Sequence, residues 1–191
     1  IEETRHARHD MRHHLSILNS FVKRKDWADL ENYLSKMSKS IPSSELKLCE
    51  NNAIDGVAGH YYHRYKDLEI PCVFKLELPK ELSVSEIDIC IVLSNLLENA
   101  LEASMRTAPD KRRITVFARM HSDNVVLIKV ENFYNGVVKE KNGIFESSKH
   151  SGEGIGTQSV RRIAEKGGGY CRFTQKDGIF TADVMLRGNS K

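Results

Sequence analysis

Nowhere does the chain carry about 18 consecutive apolar residues, so no segment reads as a membrane span. Cysteine is scarce. The four residues Cys49, Cys72, Cys90 and Cys171 contain no Cys-x-x-Cys pair, which argues against a zinc site or a disulfide framework and fits a reducing cytoplasm. An excess of one charge is lacking too: 29 Lys and Arg against 26 Asp and Glu leave +3, too little to imply nucleic acid. Repeats and low-complexity tracts are absent, which excludes solenoids and biased linkers. The first residue is Ile1 rather than Met, and the chain is read as a fragment whose membrane attachment, if it has one, lies upstream.

What is present falls into two blocks. Residues 1 to about 42 read as a helical hairpin. Met11, Leu15, Leu18 and Val22 follow one apolar spacing, and Trp27, Leu30, Leu34, Met37 and Ile41 another. Both resemble coiled-coil seams. Asp26 is the expected N-cap of the second helix and Pro42 its stop. Two helices alone bury such seams poorly, so a four-helix bundle from two chains is expected. Basic residues crowd this block (Arg5, Arg8, Arg12, Lys23, Arg24, Lys25); a solvated surface or an acidic partner would account for them.

From about residue 50 the pattern predicts a helix over 52–67, a strand over 71–78 and a helix over 84–106. Strands at 112–120 and 124–133, a polar loop over 134–153 and a helix over 155–166 follow. Strands at 169–175 and 179–187 close the chain. The fold class is α+β: the N-terminal hairpin, then an α/β sandwich with a mixed sheet covered on one face by helices. The domains expected are 1–45 and 50–191.

The densest signal is Leu93 to Ala103, LSNLLENALEA. Asn95, Glu98, Asn99 and Glu102 fall at i, i+3, i+4, i+7, one stripe of a helix whose other faces are apolar. Such a helix is expected to be buried nearly all round. Unpartnered polar groups there would cost several kcal/mol, and an oxygen-rich stripe suits Mg²⁺ shared with phosphates. Pairing of Glu102 with Arg106 at i, i+4 is the structural alternative for that residue.

A second signal is SGEGIGTQSV. Gly152, Gly154 and Gly156 lead into a helix whose N-terminus attracts anions, and Lys149 and His150 precede it. No strand comes directly before, so this is not a dinucleotide-binding turn. The third signal is RHDMRHH, residues 8–14. His9 and Asp10 point away from the seam, and a carboxylate beside an exposed imidazole can orient it and take its proton. Plain solvation of that surface is the alternative, and a His9–His13 metal pair lacks a third ligand.

Taken together, these segments resemble a family. NLLENALEA and GEGIG are similar to two boxes of the GHKL ATP-binding domain shared by histidine kinases, DNA gyrase, a heat-shock chaperone and MutL. RHDMRHH resembles the phosphoacceptor box of sensor histidine kinases, most closely those sensing peptide quorum signals. The resemblance implies Mg²⁺ and ATP, a cytoplasmic location, a homodimer through the hairpin, a response-regulator receiver domain as partner, and no nucleic acid. It implies His9 as the phosphorylated residue and Asp10 as its base. Asn99 would ligate Mg²⁺, Asn95 would lie near the phosphates, and Glu98 would act on water or the metal shell. Gly152, Gly154 and Gly156 would hinge a lid over 134–153. Where most such kinases place an aspartate that reads adenine, this chain has Asn132, in VENFYNG. A phosphotransfer scaffold with a degenerate ATP domain and an anti-sigma-factor-like serine kinase are the rival readings.

Overall fold

The computed structural model describes the backbone of residues 2–37, 47–134, 140–141, 144–145 and 155–188, and the side chains of 12, 14–34, 47–134 and 156–188. The chain divides into two compact units, Ile1–Ser43 and Ser44–Lys191. Each is described by itself.

In the first unit, helix α1 (Glu2–Arg24) is followed by α2 (Trp27–Met37). Lys25 adopts φ 56°, and its N–H bonds the Val22 carbonyl while Asp26 N–H bonds that of Phe21. This paired closure of a helix end is usually made by glycine. Leu30 N–H donates to the Asp26 carbonyl, so Asp26 stands at the entrance to α2. The two helices meet through the His14 ring and the Tyr33 hydroxyl at 2.7 Å, and through Phe21 against Tyr33 with centroids 5.8 Å apart. The predicted seams therefore divide. Leu18 and Leu30 are half-buried, whereas Leu15, Val22, Leu34 and Trp27, the last 59% exposed, face outward. Spacing names apolar positions but not which of two possible neighbours covers them. The Pro42 stop lies outside the described residues.

The second unit is built on a five-stranded sheet in the order β1-β2-β3-β7-β6. Its strands are β1 (Cys72–Glu77), β2 (Ile114–Ser122), β3 (Val125–Phe133), β6 (Tyr170–Lys176) and β7 (Ile179–Arg187). β1 pairs parallel with β2 and every other pairing is antiparallel. The 134–153 stretch, expected as a loop, contains a short antiparallel pair, β4 (Glu140–Lys141) and β5 (Ile144–Phe145). These strands are too short for an alternating pattern to announce them.

Strand alternation gives the sheet its two faces. Ile114, Val116, Val126, Ile128, Val130, Ala182 and Val184 are buried under three helices. α4 (Glu86–Met105) lies over β3, with α3 (Asn52–Asp67) on the β1 side and α5 (Ile155–Lys166) over β6 and β7. Asn51 joins the layers: its carbonyl oxygen Oδ1 caps α3 through the Ala53 and Ile54 N–H groups, and its amide donates to the Lys80 carbonyl and to Glu86 at the head of α4. The opposite sheet face is open and carries charged residues, among them the Lys129–Glu131 and Arg172–Asp183 pairs. Gly168, at φ 74°, ends α5, and a Cβ on Gly169 would fall on the Met185 carbonyl oxygen, so the run of three glycines lets α5 turn tightly into β6.

α4 is not buried all round. Leu93, Leu96, Leu97, Ala100 and Leu101 are in the core, but Ile87 is 72% exposed and Ile91 is exposed as well. The reason is geometric. The sheet and the flanking helices cover the middle of α4, while Glu86, Ile87, Cys90 and Ile91 at its start line an open groove with Ala53 of α3.

Candidate functional site

Helix α4 starts on Ser85, whose hydroxyl accepts the Asp88 N–H, and this cap fixes which side chains reach which neighbours. Asn95 and Asn99, one turn apart, face the first turn of α5. There Gly156 has no side chain, and a Cβ on it would stand 3.0 Å from Asn95 Oδ1 and 3.5 Å from Asn99 Oδ1. Glycine at 156 thus lets the start of α5 approach the two carboxamides more closely than a residue with a side chain could. Asn95 is oriented by its Nδ2, which donates to the Ile91 carbonyl at 2.8 Å, leaving Oδ1 toward Gly156. Two neutral oxygens beside a helix N-terminus suit a phosphate with its hard cation. Among the described residues no group of three His, Cys, Asp or Glu side chains could hold a metal ion, so a cation here would draw most of its oxygens from the ligand and water.

Glu98 goes elsewhere. It is one residue before Asn99, hence about 100° round the helix, and meets α3. Its carboxylate accepts from Arg64 Nη1 at 2.7 Å and from the Tyr61 hydroxyl at 3.0 Å. The Arg64 guanidinium also lies over the Tyr61 ring, 5.6 Å from its centroid. Burial first, then the Glu98 charge, push the Tyr61 phenol up to about 12. Nearby, the Tyr65 hydroxyl donates to the Leu97 carbonyl at 2.8 Å, and burial raises its pKa also. Neither Glu102 nor Arg106 is free of partners.

Asn132 sits at the end of β3 and is 4% exposed, with its amide donating to the Phe133 carbonyl at 2.9 Å. Register places it in one helix-facing row with Ile114, Phe180 and Gln175. The Gln175 carbonyl oxygen accepts the Tyr134 hydroxyl at 3.1 Å, and its buried Nε2 has no partner. Tyr61, Arg64, Tyr134 and Gln175 were not singled out from sequence. The polar-tipped face of HYYHRYK, at spacings of three and four, was the available signal for the first two.

His9 and Asp10 lie on the α1 backbone, but their side chains fall outside the described residues, as do Lys149, His150, Gly152 and Gly154. Of the glycine run, only Gly156 is described.

A mixed five-stranded sheet under three helices, with a carboxamide pair on the central helix facing a glycine at the next helix start, defines an α+β class. The chain belongs to the GHKL family, whose domain model matches residues 84–187, more than half of its length. Solved structures agree on the fold. The catalytic domain of the histidine kinase ThkA is similar at a TM-score of 0.56 and 19% identity, over 73% of this chain and 93% of that one. The mycobacterial sensor histidine kinase MprB is similar at 0.50 and 17%, over 73% and 95%. A crystal structure of ThkA in complex with the response regulator protein TrrA is similar at 0.54 and 15%, over 98% of this chain and 61% of that one. A comparison with curated proteins found no match.

Proposed function

We propose that this chain is the catalytic portion of a sensor histidine kinase of the peptide quorum-sensing type, using Mg²⁺ and ATP. The observation that supports the reading is the close approach of Gly156, at the start of α5, to Asn95 and Asn99 of α4. Asn99 would hold Mg²⁺, Asn95 would face the phosphates, and Asn132, buried at the end of β3, would offer its amide to adenine. Gly152, Gly154 and Gly156 would carry the lid, with Lys149 and His150 toward phosphate oxygens. The cation, when bound, neutralises charge on the transferring phosphoryl group.

The imidazole of His9 attacks the γ-phosphorus, the bond to the β-phosphate oxygen breaks, and Asp10 takes the ring proton. The phosphohistidine then serves an aspartate of a receiver domain. Residues 1–45 form the dimerising hairpin and 50–191 the catalytic domain, and the part works in the cytoplasm. Support for the dimer comes from the outward seam of Leu15, Val22, Trp27 and Leu34. The scaffold alternative draws on Asn132 alone, an amide where an acid is usual.

Titrating a fluorescent ATP analogue with and without Mg²⁺ tests the site. Saturable binding is expected, with its Mg²⁺ dependence lost in Asn99→Ala. No binding by the unaltered chain would favour the scaffold.

A further inference from the structure

Three side chains of α3 converge on two consecutive residues of α4. Tyr65 bonds the Leu97 carbonyl, and Tyr61 and Arg64 both bond the Glu98 carboxylate. The next residue is Asn99. We infer that Tyr61 and Arg64, acting through Glu98, are positioning residues that set the rotation of α4 and thereby hold Asn99 and Asn95 in register with Gly156.

This inference rests on the nucleotide-site reading above and gives Glu98 the role of a strut, in place of the action on water or the metal shell that the resemblance implies. Stability alone does not explain the cluster. The side chains of Arg64 and Glu98 are 40% and 38% exposed, and ion pairs that open to solvent add little to folding. The apolar core side of α4 is already filled by Leu93, Leu96, Leu97, Ala100 and Leu101.

Geometry supplies a reason for the cluster. A side-chain tip lies roughly 5–6 Å from a helix axis, so a rotation of about 10° moves it by about 1 Å. The approach at Gly156 is close, since a Cβ there would meet Asn95 Oδ1 at 3.0 Å, so a displacement of that size changes which atoms of the two helices face each other. Apolar packing against Leu and Ala tolerates small rotations, whereas hydrogen bonds weaken steeply with angle. A fork of two donors on one carboxylate oxygen, with the Arg64 guanidinium over the Tyr61 ring, defines the angle better than packing does.

The test compares the unaltered chain with Arg64→Met, Tyr61→Phe and Arg64→Lys. Three quantities are measured: the thermal midpoint, ADP affinity without Mg²⁺, and the Mg²⁺ concentration at half-effect on nucleotide binding. Loss of a group that orients a metal ligand typically weakens the metal about tenfold or more. The expected result is a Mg²⁺ half-effect concentration raised roughly tenfold in Arg64→Met, and raised also in Tyr61→Phe. The thermal midpoint should stay close to that of the unaltered chain, any fall in metal-free affinity through Asn95 should be smaller than the change in Mg²⁺ half-effect, and Arg64→Lys should recover part of the Mg²⁺ effect. An unchanged Mg²⁺ dependence would overturn the inference. So would a parallel fall in metal-free affinity and thermal midpoint, which marks a structural role. If the unaltered chain binds no nucleotide, the nucleotide-site reading itself fails, and the strut falls with it.

Discussion

Gly156 of α5 faces Asn95 of α4 so closely that a methyl group on the glycine would stand 3.0 Å from the Asn95 carboxamide oxygen. Stability and binding pull opposite ways at this position. Alanine inside a helix is favoured over glycine by about 0.5–1 kcal/mol, yet here its methyl would push the Asn95 oxygen aside. Gly156→Ala should therefore leave the unfolding midpoint equal or higher while weakening nucleotide binding. Denaturant titration beside ligand titration checks both, and unimpaired binding would show that this contact is not on the phosphate side.

The tyrosines of α3 set an alkaline limit on stability. Tyr61 titrates at about 12 in the fold, through burial first and Glu98 second, against about 10 in an unfolded chain. Between those values the unfolded chain has released a proton that the folded chain keeps. The contribution is thus complete below about pH 10 and falls as pH rises toward about 12. Tyr65, raised by burial too, adds in the same direction. Absorbance at 295 nm should show part of the signal from six tyrosines appearing only as the fold is lost. All six ionising near pH 10 with the fold intact would contradict the assignment.

Lys25 ends α1 in the left-handed region at φ 56°, a conformation that costs a residue bearing a Cβ roughly 1 kcal/mol. Glycine at that position keeps both closing hydrogen bonds and removes the strain. Lys25→Gly should slow amide hydrogen exchange in α1 and α2, by an amount equivalent to about 1 kcal/mol. Faster exchange would mean that flexibility of the unfolded chain outweighs the strain.

The outward seam of the first unit predicts assembly. Val22 and Trp27 are exposed apolar side chains, and an aspartate introduced among them would be desolvated in a four-helix bundle. Sedimentation should report a dimer for the unaltered chain and a monomer for Val22→Asp. Identical sedimentation of the two would remove the hairpin as the dimer contact.

Sequence pattern exposed the parts of the site that one element carries by itself. Asn95 and Asn99 stand out because two carboxamides interrupt an apolar helix, and Gly156 because it opens another. Helical period alone says which residues share a face, not what that face meets. For that reason the period alone predicts a helix buried nearly all round, whereas Ile87 and Ile91 are exposed among the described residues. For the same reason Glu98 was grouped with Asn99, although its partner Arg64 lies 34 residues earlier and is reached only once α3 packs on α4. The seams of α1 and α2 follow the same rule, since Tyr33 and Phe21 took the inner positions that spacing had given to Leu15 and Val22.

The central claim is that phosphoryl transfer from ATP ends on His9. Incubating the chain with γ-labelled ATP and Mg²⁺, then washing with acid or alkali, tests it directly. The account predicts label that is lost in acid, stable in alkali and absent from His9→Gln. Acid-stable label would point to a serine kinase and absence of label to a scaffold, and label retained by His9→Gln would contradict the assignment of the acceptor.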